Sequence, residues 1–305
     1  MKSDLTERVL SLLDEAGFQV VDCTGSRSSF DIIAKRGEVL FLVKILKNIE
    51  GLNRFSANEL KNVASLLSGI PFVIGEGMKN SMLSDDVVYD RYGICVSSPT
   101  TFERIINNML PSIYSTRGNY CVKIDSKHLS ELRHKSGLTQ DALAKRLNVS
   151  KQSVYRYERE GRVSLDVFER LIDLFEDEGL ALPGFEMEFQ FNGPESRRHV
   201  SRHVSDLKKV VLEEFRNMGF KTSMTNAPFD IYASKDEMIL TVVSNDWRRL
   251  KHRIEMMRDI TSMVGGYSVC ISERHVDIDG SVIRPEELHE IHSPKDFFKL
   301  LSEDF

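Results

Sequence analysis

Between Lys127 and Glu178 the apolar residues recur three and four apart in short groups: Leu129 and Leu132, Leu143 and Leu147, Val154 and Tyr157, then Leu171, Leu174 and Phe175. That spacing puts a narrow apolar stripe on each of four helices too short to persist alone, so the stretch folds only if the four bury their stripes against one another. The punctuation agrees. Gly137 ends the first helix, Thr139 caps the second, Asn148 breaks it, Ser150 caps the third and Gly161 closes it. A connection of about four residues between the second and third helices forces the crossed pair of a helix-turn-helix.

With the third helix starting at Ser150, Lys151, Gln152, Ser153 and Arg156 lie on its exposed N-terminal face, while Val154 and Tyr157 turn inward. From such a face a recognition helix reaches base edges in the major groove, and Gln and Arg suit the task because each pairs bidentately with a purine. Lys127 to Arg162 holds nine Lys or Arg against four Asp or Glu, in a 305-residue chain whose net charge is −5. Positive charge is therefore concentrated where phosphates would lie.

Through Gly137-Leu138-Thr139-Gln140, Leu143-Ala144, Leu147, Val149-Ser150, Val154 and Arg156-Tyr157-Glu158-Arg159, the segment resembles the Cro and lambda-repressor (XRE-type) DNA-binding domains. The resemblance implies a DNA-backbone contact from Gln140 and base reading by Lys151, Gln152, Ser153 and Arg156. Thr139, Ser150, Arg159 and Arg162 complete the candidate DNA-binding set. Glu160, an extra residue before the glycine, departs from the family pattern just ahead of Arg162.

The whole chain has the balance of a soluble globular protein, 41% hydrophobic and 29% charged, and its length allows two or three domains. Cys23, Cys95, Cys121 and Cys270 are far apart, none in a Cys-x-x-Cys pair, and their apolar neighbours point to buried thiols rather than metal ligands. Residues 1–17 read as an amphipathic helix, and no apolar run approaches the roughly 18 residues of a membrane span. The expected location is the cytoplasm of a prokaryote.

Either side of the central segment the pattern is α/β. On the N-terminal side a helix with Leu5, Val9, Leu12 and Leu13 precedes strands at 18–21, 30–34 and 39–45, a helix at 56–67, strands at 71–74 and 94–96, and a helix capped by Ser98. The same order returns from Leu207. Aligning Phe30–Lys44 with Phe229–Val243 without a gap matches Phe30, Asp31, Ile32, Ala34, Glu38 and Val43 to identical residues, which indicates a duplication. The expected domains are 1–111 (α/β), 112–124 (a connecting hairpin through Arg117-Gly118-Asn119), 125–180 (helix-turn-helix), 181–205 (a strand at Phe185–Phe189 and a basic linker with Arg197, Arg198 and Arg202) and 206–305 (α/β).

An Asp ending one strand, followed by acid-x-Lys on the next, is the Mg²⁺-binding constellation of the restriction-endonuclease-like (PD-(D/E)XK) fold, which residues 1–111 resemble in element order. Asp31 and Lys44 match two of its three members, but Leu42 stands where the second acid belongs, and a lone carboxylate holds Mg²⁺ poorly. Glu7, Glu38 or Glu59 would have to supply the missing oxygen. In the second copy Asp230 remains, while the ungapped alignment puts Thr241 and Val243 at the acid and lysine positions. Asp31, Lys44 and Asp230 are thus vestigial candidates. No phosphate-cradling loop or nucleophile elbow is present, and His199 and His203 lie among arginines that would repel a metal.

The fold expected is two related restriction-endonuclease-like α/β domains flanking an all-α helix-turn-helix. The function expected is a DNA-binding transcriptional regulator, similar in domain order to helix-turn-helix regulators of archaea. It is expected to be a homodimer on double-stranded DNA, with no membrane partner, no cofactor and no metal, its effector unknown. The rivals are a metal-dependent nuclease or repair factor steered by the same module, and a non-catalytic adaptor.

Overall fold

The computed structural model describes residues 2–26, 28–116, 118–183, 205–273 and 282–303. The expected strand Phe185–Phe189, the linker arginines, His199, His203 and Arg117 of the hairpin turn lie outside them.

From the N-terminus the elements are α1 (Lys2–Glu15), β1 (Gln19–Asp22), β2 (Ile32–Arg36), β3 (Val39–Asn48), α2 (Arg54–Leu66), β4 (Ile70–Met78), β5 (Ser81–Met82), β6 (Val87–Arg91), β7 (Ile94–Ser97) and α3 (Pro99–Ile106). The central part comprises β8 (Ile113–Thr116), β9 (Asn119–Ile124), α4 (Ser126–Lys135), α5 (Gln140–Arg146), α6 (Lys151–Glu160), β10 (Arg162–Ser164), α7 (Leu165–Phe175) and β11 (Ala181–Leu182). The C-terminal part comprises α8 (Asp206–Asn217), β12 (Lys221–Met224), β13 (Ile231–Ser234), β14 (Met238–Val243), α9 (Trp247–Val264), β15 (Tyr267–Ile271), β16 (Val282–Ile283), α10 (Pro285–Glu290) and α11 (Pro294–Glu303). The run α1-β1-β2-β3-α2-β4 is repeated as α8-β12-β13-β14-α9-β15.

By contacts the chain forms two compact units, one of Met1–Val9, Leu46–Leu52 and Val73–Phe189, the other of Leu10–Ile45, Asn53–Phe72 and Gln190–Phe305. In the first, β8 and β9 form the expected hairpin, with Ile113 opposite Val122. The sequence reading missed that β9 also takes β10 and β11 as antiparallel partners, so strands of two or three residues, one between α6 and α7 and one after α7, bind the helical segment to the hairpin. Leu129, Leu143, Leu147, Val154, Val163, Val167 and Leu171 close over Val122 and Ile124 in one core, which is where the four apolar stripes meet.

In the second unit β1, β2 and β3 form an antiparallel meander. Around β14, β12 and β13 add antiparallel on one side while β15 and β16 add parallel on the other. One face of the latter sheet is covered by α8, α10 and α11 through Phe215, Leu288, Phe297 and Leu301. Here β1 packs along α9, and the Ser29 amide donates to the Asn226 carbonyl at 2.7 Å.

The repeat carries one correction. Lys35 pairs with Leu40 across four intervening residues, whereas its counterpart Ser234 pairs with Met238 across three. The second turn is one residue shorter, so every residue of β14 stands one place off the ungapped alignment. Leu240 and Val242, not Thr241 and Val243, occupy the acid and lysine positions. Thr241 pairs with Ile231, the place Val43 takes opposite Ile32.

Candidate nucleic-acid interface

Of the helices of the central segment, α4, α5 and α6 each begin on a side chain that accepts orphan backbone N–H groups. Asp125 accepts from Lys127 and His128, Thr139 from Ala142 at 3.1 Å, and Ser150 from Ser153 at 3.0 Å. Gly161 ends α6 in the left-handed conformation. The exposed side chains of α6 are Lys151, Gln152, Tyr155, Arg156, Arg159 and Glu160, while Val154 is fully buried and Tyr157 packs inward. Residues 151, 152, 155, 156 and 159 share one helical face, so the helix presents a continuous polar and basic stripe.

Of the candidates, Lys151, Gln152 and Arg156 stand on that stripe. Arg159 is also on it, its guanidinium paired with Glu160 and lying over the Tyr155 ring. Ser153 is half-buried, its hydroxyl 2.9 Å from that of Ser150, so it serves the cap as well as the face. Thr139 and Ser150 are the caps themselves. Gln140 opens α5 and is drawn toward α6, its Nε2 donating to Glu158 at 2.7 Å. Arg162 lies beyond the helix on β10, with its guanidinium 5.0 Å from the Tyr114 ring centre.

What holds the stripe in place is a buried ion pair. Arg133 of α4, only 6% exposed, donates to both carboxylate oxygens of Glu158 and, at 3.0 Å, to the Leu138 carbonyl in the α4–α5 turn. Burial pushes the Glu158 carboxyl up, but the hydrogen bonds from Arg133 and Gln140 and the charges of Arg133 and His134 outweigh it, and the net shift is downward. Three helices are thereby joined at one carboxylate.

The nuclease-like constellation has a different chemistry from a metal site. Asp31 is buried, with one oxygen 3.2 Å from Lys44 Nζ and the other accepting from the Ile45 amide at 2.7 Å. Asp230 keeps the same backbone bond, from Val243 at 2.9 Å, but its cations come from helices: Lys208 at 2.8 Å and Arg253 at 3.0 Å. Leu42, at the second acid position, is fully buried. Among the described residues no group of three or more His, Cys, Asp or Glu is placed to hold a metal ion. A donor set of one carboxylate already bonded to a cation and an amide does not fit Mg²⁺, which needs several free oxygens in octahedral array.

Comparison with known proteins bears on both regions. Residues 2–111 match the PD-(D/E)XK superfamily domain, and residues 127–176 match a helix-turn-helix domain. A protein of Methanocaldococcus jannaschii is 32% identical over 284 residues, covering 90% of this chain and 87% of its own. One of Archaeoglobus fulgidus is 31% identical over 313 residues, covering 99% and 98%, and one of Thermococcus kodakarensis is 30% identical over 306 residues, covering 97% and 94%. All three are named HTH-type transcriptional regulatory proteins. The chain belongs to this family. No solved structure matches it.

In this member of the HTH-type regulatory family, sequence reading passed over two parts of the candidate interface. Tyr155, 51% exposed, is the exposed aromatic of α6, and the Arg133–Glu158 pair ties that helix to α4. The signal for the second was present, since Glu158 falls four residues after Val154 and so on the inward side of α6. No helix among the described residues is long and apolar enough to cross a membrane.

Proposed function

We propose that this chain is a sequence-specific DNA-binding transcriptional regulator that reads its operator with α6, in the cytoplasm. The observation that carries the reading is the stripe of Lys151, Gln152 and Arg156, exposed on a helix that is capped, packed and anchored by Glu158. Lys151, Gln152, Ser153 and Arg156 are read as base contacts, and Gln140 and Arg159 as contacts at or near the phosphates. Domains are read at 1–111, 125–180 and 206–305, with a homodimer placing two α6 helices about 34–36 Å apart on one face of the duplex.

Selection of bound duplexes from a random pool at about 0.1 M salt is the test, followed by binding of variants to the enriched site. A palindrome is expected, and a single unpaired half-site would remove the homodimer from the reading. Gln152→Ala and Arg156→Ala are each expected to lose about 1–3 kcal/mol on the selected site and little on random DNA. Equal losses on both would reassign them to the phosphates, and retention without enrichment would count against a sequence-specific regulator.

The α/β domains are read as a non-catalytic scaffold. With Asp31 held by Lys44 and the Ile45 amide, and Leu42 in place of the second acid, no Mg²⁺- or Mn²⁺-dependent cutting of duplex, single-stranded or branched DNA is expected. Cleavage that vanishes in Asp31→Ala would establish the nuclease reading instead.

A further inference from the structure

We propose that Tyr155 is a specificity-determining residue that reads the 5-methyl group of a thymine in the major groove; this rests on the reading of α6 as the recognition helix. Tyr155 is 51% exposed, and it is the exposed aromatic among the described residues of the helix-turn-helix. Its place is central: Gln152 lies one turn before it, Arg156 directly after it and Arg159 one turn beyond, all on the same face.

Fold stability gives no reason for an aromatic there. Tyrosine is a poorer helix former than the Lys, Gln or Glu that a solvated position would favour, and the apolar core under α6 is filled by Val154 and Tyr157. Arg159 lies beside the ring, its guanidinium 5.7 Å from the ring centre and itself paired with Glu160. That contact limits the swing of the ring and leaves the residue about half exposed.

Among base edges in the major groove the thymine methyl is the apolar feature, and it is the complement of an exposed ring standing between polar readers. Gln152 and Tyr155 are separated along the helix by about 4.5 Å, a little over one base-pair step of about 3.4 Å. The thymine is therefore expected about one or two base pairs from the purine that Gln152 reads.

The test uses the full chain and the site enriched from the random pool. Each thymine is replaced in turn by uracil, which deletes only the methyl group. At one position per half-site the native protein should lose about fourfold in affinity, the loss that exposing one methyl-sized group produces, while Tyr155→Ala should bind the thymine and uracil sites equally. Tyr155→Phe should keep the native sensitivity. Loss of affinity in Tyr155→Phe without any uracil effect would make the hydroxyl a phosphate ligand and overturn the proposal. So would an unchanged uracil effect in Tyr155→Ala, or no uracil effect at any position in the native protein. An enriched site without thymine sensitivity sinks this inference and leaves the regulator standing; absence of any enriched site sinks both. Circular dichroism of Tyr155→Ala should show the helix content of the native protein, as an exposed position predicts.

Discussion

Glu158→Ala is expected to destabilise the helix-turn-helix by about 3–5 kcal/mol, because the substitution leaves a buried guanidinium without its counter-ion. Arg133 is 6% exposed and cannot shed its proton, so the uncompensated charge must stay buried or the packing of α4 on α6 must open to admit water. Gln140 loses its acceptor at the same time. Amide exchange in α4, α5 and α6 should accelerate by a factor matching that loss, while α8 to α11 remain as protected as before. DNA affinity should fall on selected and random sequences alike, unlike the selective loss expected for Gln152→Ala. Unchanged exchange in α6 would mean that Arg133 finds another partner and that the pair does not anchor the recognition helix.

The same carboxylate sets an acid limit. The folded state holds Glu158 below its ordinary value, so the unfolded chain binds the proton more readily. Its stabilisation is therefore complete above the unfolded value and is lost as pH falls through the lower, folded one. Protection of α6 should stay level from neutral pH down to the ordinary carboxylate range and then decline. In Glu158→Gln, which has nothing to titrate at that position, this step should be missing.

How much of this was legible depends on how far apart the cooperating residues lie. Thr139, Ser150 and Gly161 act on backbone within a few residues of themselves, so sequence alone placed α5 and α6 within a residue or so of their ends. Arg133 and Glu158 are 25 residues apart and neither breaks the helical period, so only packing brings them together. Strands β10 and β11 are too short for alternation to register and exist because β9 offers unpaired backbone groups to both. The shorter β13–β14 turn was invisible because Val43 matches Val242 when no gap is allowed, although the ladder pairs Ile231 with Thr241. At the Asp31 site the deciding facts were local: Leu42 stands two residues before Lys44 in the sequence itself, and the structure adds what became of the carboxylate.

Gly161→Ala should be the most damaging glycine replacement in the helix-turn-helix, costing on the order of 3 kcal/mol as strain and steric conflict together. Gly161 adopts φ 61° and ψ 33°, which an alanine resists. It is also buried, and a Cβ there would lie 2.5 Å from the Ile124 carbonyl oxygen of β9. That oxygen is backbone and cannot swing aside. Relief would require β9 to move from α6, which breaks the 2.8 Å bond from the Ile124 amide to the Gly161 carbonyl and disturbs the β9–β10 pairing beside it. Gly137 supplies the control, since its φ is 63° but nothing lies within 4 Å of its would-be Cβ. Gly137→Ala should therefore cost only the left-handed conformation, about 1 kcal/mol, and Gly137→Asn still less, because asparagine tolerates that conformation. At Gly161 asparagine should be no better than alanine, since its Cβ meets the same carbonyl. Chemical denaturation of the four variants, followed through exchange of the α6 amides, separates the two causes. Equal losses at Gly137 and Gly161 would show that β9 yields freely and that the join between recognition helix and hairpin is soft. A large difference would mean that the C-terminal end of α6 is held rigidly on two sides, by the Glu158 anchor on α4 and by the contact of Gly161 with β9.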